Sequence, residues 1–110
     1  MSRHGLSDSQ INIIQHILAS FSASINTVGL FGSRATGRYR ANSDIDIVLY
    51  GNLDETILDR ISTLFDESLL SLKVDVVAYD LITYPPLKTH IDAVMLPLFT
   101  QKTLQLGNSQ

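Results

Sequence analysis

Apolar positions along this chain change their period several times, and each change marks an element. In residues 7–22, Ile11, Ile14, Ile17, Leu18 and Phe21 recur at three- and four-residue spacing, the period of an amphipathic helix. Ser7 and Gln10 stand just ahead of that run at the S-x-x-Q spacing of a capping box, which predicts the helix start. Residues 25–31 read as a short strand running into Gly32, and residues 33–38 as a short helix at the loop. Residues 44–50 alternate, with Ile45, Ile47 and Leu49 on one face. A second long helix follows, with Asn52 as its cap and a broad stripe of Leu53, Ile57, Leu58, Ile61, Leu64, Phe65 and Leu69. Residues 73–79 read as a third strand. Pro85-Pro86 breaks the chain, a last helix runs from about Leu87 to Met95, and Pro97 ends or kinks it. The closing Gly107-Asn108-Ser109-Gln110 reads as a frayed end.

The order of elements is therefore α-β-(α)-β-α-β-α. It implies an α/β (α+β) domain: a small mixed β-sheet with helices packed mainly on one face. Strand order does not follow from the pattern. At 110 residues the chain fits a single domain, 1–110, with no room for a separate lid or substrate-recognition domain.

Composition narrows the function classes. The net charge is −3, and no basic stripe runs along any element, which speaks against a partner gripped by its nucleic-acid phosphates. The arginines that do cluster, Arg34, Arg38 and Arg40, suit a small phosphorylated ligand better than a duplex. There are no cysteines, so disulfides, thiolate zinc sites and thiol nucleophiles are excluded. No apolar run approaches the ~20 residues of a membrane helix, and the start lacks the apolar stretch of a signal peptide. The expectation is a cytoplasmic protein with no membrane partner.

The chemistry concentrates between Gly32 and Asp46. A strand ends in Gly32-Ser33, ten residues follow, and Asp44-Ile45-Asp46 opens the next strand. Gly32 lets the backbone turn sharply and a phosphate come close. Ser33, at the start of a short helix, offers a hydroxyl and backbone N–H groups to an anion. Arg34 and Arg38, near the turn, can neutralise phosphate charge. Asp44 and Asp46, two apart on a strand, point to one side and repel each other unless a cation lies between them. Mg²⁺ suits that pair, because it takes oxygen ligands and keeps positions for water and substrate phosphates. Asp75, alone between Val74 and Val76, can complete the centre if its strand lies beside residues 44–50. Each part has a plain reading when taken alone: Asp-x-Asp as the wet face of a strand, Gly-Ser as a turn, Asp75 as an edge-strand charge. All three together point to a nucleotide–metal site.

The segment matches the G-S-x10-D-x-D signature, and it resembles the DNA polymerase β-like nucleotidyltransferase superfamily. Short length and flanking elements resemble its minimal nucleotidyltransferase (MNT) subfamily, over about Ile25 to Ala78. That resemblance implies the polymerase β-like nucleotidyltransferase fold and a Mg²⁺–ATP site. Asp44, Asp46 and Asp75 would be its metal-binding and catalytic acids, and Gly32 and Ser33 its phosphate-binding residues. It also implies a partner, since members are often the antitoxin half of a HEPN–MNT toxin–antitoxin pair. The expected activity is transfer of AMP from ATP to a hydroxyl, a tyrosine of a cognate HEPN toxin, in a hetero-oligomer or homodimer. The alternative is a nucleotide-binding antitoxin that blocks its HEPN partner by contact without catalysis.

Other residues carry weaker readings. His4, His16 and His90 are scattered, without metal-pair spacing, and read as structural or solvent-facing. Tyr39 reads as a solvent-exposed loop tyrosine and Arg40 as a surface charge. Tyr79, Tyr84 and the Leu96–Phe99 run read as core or partner-facing.

Overall fold

The computed structural model describes residues 4–106, so the frayed end expected at 107–110 lies outside the described residues. The first helix, α1 (Asp8–Ala19), begins at the expected capping box: the Ser7 hydroxyl accepts the Gln10 N–H and the Gln10 side chain accepts the Ser7 N–H. One 3₁₀ turn leads into β1 (Ile25–Phe31), followed by the short α2 (Ser33–Thr36) and then β2 (Ile45–Gly51). Helix α3 (Glu55–Asp66) carries the chain to β3 (Val74–Ala78). A second 3₁₀ turn precedes α4 (Pro85–Val94), β4 (Leu96–Thr100) and α5 (Gln101–Leu106).

The four strands form one mixed sheet in the order β3-β2-β1-β4. Strand β1 is antiparallel to both β2 and β4, and β2 is parallel to β3, with α3 as the crossover. Alternation gives the sheet two faces. On one, Val28, Leu30, Ile45, Ile47 and Leu49 pack with Ile14 and Leu18 of α1, Ile61 and Phe65 of α3, and Leu104 of α5. Each such side chain removed from water contributes about 1.5–3 kcal/mol, so this larger cluster is the main source of stability. On the other face, Phe31 and Val48 pack with Ile91 of α4, flanked by Val77, Tyr79 and Met95. Helices thus lie mainly on one face, and α4 covers part of the other.

The remaining differences have local causes. Asp54, not Asn52, caps α3, its carboxylate accepting the Ile57 N–H at 2.8 Å. Asn52 directly follows β2, and its N–H donates to Ser24 O at 3.0 Å. Leu69, expected on the apolar stripe of that helix, lies beyond its end and is 93% exposed. Pro85 and Pro86 start α4 rather than break the chain, because proline at the first helical positions lacks only an N–H that has no intrahelical partner. Pro97 neither ends nor kinks a helix. It sits in the edge strand β4 opposite Gly29, a position where a strand tolerates a missing N–H.

Candidate active site

Strand register brings the acids together. In the parallel β2–β3 pair, Asp46 lies directly opposite Asp75, with Ile45 opposite Val74 and Ile47 opposite Val76. On its other side Asp46 is opposite Phe31, the last residue of β1. Asp46 and Asp75 therefore stand side by side on the face that carries α4. Asp44 precedes β2 by one residue and is exposed. The neighbouring Ile45 N–H donates to Lys73 O at 2.9 Å, which ties the entry of β2 to β3.

Repulsion among these carboxylates falls on Asp46. Burial pushes its pKa above the ordinary carboxylate range, and the charges of Asp75 and then Asp44 push it further; His90 and Lys73 oppose them. Lys73 Nζ lies 3.6 Å from Asp75 Oδ1 in a well-exposed ion pair. Among the described residues no three His, Cys, Asp or Glu side chains converge into a ready-made metal cage. The donor set still fits Mg²⁺, which takes one or two carboxylates and fills its other positions with water and substrate phosphate. Two adjacent carboxylates whose charges disfavour each other form such a set, and Asp44 stands next to it.

The Gly-Ser turn closes on the same acids. Gly32 has φ +68 and ψ −151, a backbone conformation open to glycine. A Cβ on Gly32 would collide with Asp46 Oδ2, so the turn and the acid strand meet without room for a methyl group. Changing Gly32 to alanine is expected to destabilise the chain by about 1–3 kcal/mol through strain and the displaced carboxylate. A thermal melt equal to wild type would rule out this close approach. Ser33 opens α2 and is half-buried; the Gly32 carbonyl accepts the N–H groups of Ala35 and Thr36 at 3.1 and 3.2 Å.

Arg34 departs from its expected phosphate-binding role. Its side chain is only 1% exposed. The guanidinium donates to the carbonyls of His4 (3.0 Å), Ser43 (3.0 and 3.3 Å), Ala41 (3.3 Å) and Arg40 (3.4 Å). All this donor capacity faces the protein's own backbone, so none of it is presented to a phosphate. Arg34 instead ties the N-terminal segment and the loop before Asp44 to the Gly-Ser helix. Tyr39, expected in solvent, is half-buried: its ring stacks 5.2 Å from the Arg34 guanidinium and leaves no room for a Cβ on Gly5. Arg38 and Arg40 are exposed, and Arg38 remains the nearer free side chain to the turn.

One residue read as scattered belongs here. His90, on α4, accepts the Gly32 N–H at Nε2, at 3.3 Å. The signal was a helical spacing: Leu87, His90, Ile91 and Val94 share one stripe of α4, which faces the sheet. Lys73 also belongs here: it stands two residues before Asp75, the strand spacing that puts both side chains on one face, and its ammonium lies 3.6 Å from that carboxylate.

The fold has known counterparts. A family model described as "Polymerase beta, Nucleotidyltransferase" matches residues 12–103. None of the curated proteins matches the chain. A solved structure of a toxin–antitoxin with AMP-PNP superposes with a TM-score of 0.68 at 22% identity, over 87% of this chain and 81% of that one. A tri-AMPylated Shewanella oneidensis HEPN toxin in complex with MNT antitoxin gives 0.57 at 22% identity, over 89% and 78%. The toxin–antitoxin MntA-HepT gives 0.53 at 22% identity, over 89% and 79%. At such identities the likeness is one of fold.

Proposed function

This chain belongs to the polymerase β nucleotidyltransferase family, and on that premise we propose that it is a Mg²⁺-dependent protein adenylyltransferase. It moves AMP from ATP to a hydroxyl acceptor, a tyrosine of a cognate HEPN toxin, and thereby acts as the antitoxin. The observation that carries this reading is the cross-strand pair Asp46–Asp75 beside Gly32, three strands converging on one small acidic site. The choice of partner is supported by the solved complexes of this fold, one with AMP-PNP and one containing an AMPylated HEPN toxin.

Each residue then has a task. Gly32 and Ser33 receive the triphosphate, and the exposed Arg38 adds screened positive charge to it. Asp44, Asp46 and Asp75 would hold Mg²⁺, which when bound neutralises phosphate charge and aligns the α-phosphate. The acceptor oxygen forms its bond to the α-phosphorus as the α–β bridging bond breaks and pyrophosphate leaves. Asp75 takes the hydroxyl proton, and Lys73 lies 3.6 Å from that carboxylate. Catalysis in this class rests on positioning and on charge neutralised as it develops. Acids held by sheet register supply that positioning.

The contact-only alternative also has an observation behind it. A groove of about 740 Å³ lies between α1 and the end of α3, lined by Ile13, Ile17, Leu64 and Leu69 among others and by none of the candidate site residues. An exposed apolar groove of that kind can bind a partner without chemistry. Incubating the purified chain with its HEPN partner, α-labelled ATP and Mg²⁺ separates the two. Transfer predicts label on the partner, lost in Asp75→Asn together with toxin neutralisation. Full neutralisation by an unlabelled stoichiometric complex would sink the enzyme reading.

A further inference from the structure

Helix α4 lies on the acid-bearing face of the sheet, and contacts with the central strands seat it there. Ile91 is fully buried with Phe31 and Val48. Met95 fills the space over Gly29, where a Cβ would collide with its Sδ and Cγ. The His90 ring meets the Phe31 ring edge-on, at 6.2 Å between centroids and 77° between planes. From that seat His90 Nε2 accepts the N–H of Gly32 at 3.3 Å.

We propose that His90 is the positioning residue of the phosphate-binding turn, through which α4 sets the orientation of the Gly32 peptide. This assignment deepens the nucleotidyltransferase reading and rests on it. Gly32 has no side chain of its own to limit its backbone, and glycine is the residue with the most freedom to lose. Two neighbours limit it from outside: Asp46 Oδ2 against its Cα and His90 Nε2 on its N–H. Without the second, water takes the amide and the peptide linking Phe31 to Gly32 can swing. The acidic strand and the Gly-Ser turn would then keep their contact but lose their relative orientation, on which simultaneous engagement of metal and phosphates depends. His90 is exposed and outside the core, so its removal leaves the fold in place.

Three variants test this: His90→Ala, His90→Leu and His90→Gln. A glutamine Oε1 lies as many bonds from Cβ as the histidine Nε2 and can accept the same N–H; alanine and leucine cannot. Two quantities are measured on the full chain: the resonance and hydrogen-exchange rate of the Gly32 amide, and equilibrium binding of ATP with Mg²⁺. His90→Ala and His90→Leu should shift the Gly32 amide, speed its exchange and weaken ATP binding about fivefold, the order of one hydrogen bond. Melting temperature should hold, and His90→Gln should return affinity to within about twofold of wild type. An unmoved Gly32 amide in all three variants would overturn the proposal. So would an equal loss of affinity in His90→Gln, or tighter ATP binding in His90→Ala, which would make the ring an obstacle. A wild-type chain that binds no ATP would overturn the underlying reading as well, and the Gly32 amide tells that failure from a missing hydrogen bond.

Discussion

Asp46→Asn is expected to lower AMP transfer roughly a thousandfold while raising the melting temperature of the metal-free protein at neutral pH. The loss follows from taking an oxygen ligand and a charge out of a site whose work is electrostatic, a class of change that costs about 10²–10³ or more. The gain follows from the other side of the same chemistry. Burial and the charges of Asp75 and Asp44 raise the pKa of Asp46 in the folded chain. A carboxyl whose folded pKa exceeds its unfolded value binds its proton more tightly in the native state. Its contribution favours folding at low pH, declines as pH rises from the unfolded toward the folded pKa, and leaves a full penalty above both. The asparagine variant escapes that penalty. Its advantage should therefore be complete at neutral pH and vanish as pH falls below the ordinary carboxylate range. Adding Mg²⁺ should raise the melting temperature of wild type more than that of the variant. Transfer at the wild-type rate in Asp46→Asn would remove the metal-binding role, and a melting difference independent of pH would remove the repulsion.

Arg34→Ala is expected to be the most destabilising single change considered, by about 3 kcal/mol. The buried guanidinium is held by four carbonyls and, among the described residues, no carboxylate, so its removal strands acceptors in the N-terminal segment and in the loop before Asp44. Hydrogen bonds to a charged group are worth about 1.5–3 kcal/mol each, and breaking a buried network exceeds a single bond. In a domain of this size that corresponds to a fall in melting temperature of about 10–20 °C. Arg34→Lys should recover only part of it, because one ammonium cannot reproduce the planar fork that spans His4, Arg40 and Ser43. A chemical or thermal denaturation midpoint within two or three degrees of wild type would show that water replaces the clamp. The same variant separates two roles for this arginine. A phosphate ligand would cost nucleotide affinity and leave stability untouched.

What the sequence could disclose was whatever a short window encodes. The capping box at Ser7 and Gln10 needs four residues, and it is formed. The strand at 25–31 agrees with β1 to the residue, because β-branched and aromatic positions run straight into a glycine. The Gly-Ser, Asp-x-Asp and lone Asp75 signals were readable because ionised groups in apolar strands have few stable explanations. The fourth strand was not readable: Leu96-Pro97-Leu98-Phe99 has no alternation, and its proline is tolerable only at a sheet edge, a place that no local pattern specifies.

Tertiary structure decided which charges face the site. Arg34 and Arg38 are four residues apart after the Gly-Ser turn and look equivalent on paper. Folding buries one among carbonyls and leaves the other in solvent, since the inward direction depends on where residues 4 and 40–43 come to lie. His90 is 58 residues from Gly32 along the chain, and only the seating of α4 on β1 brings its ring to that amide. Asp46 and Asp75 were predicted to meet if their strands were neighbours, and the parallel register that puts them face to face is set by α3 crossing over the larger core. Residue types and short spacings thus determined the elements and the acidic chemistry, which are local properties of the chain. Long-range packing determined which side chains share that site, because direction and register exist only once distant segments are in contact.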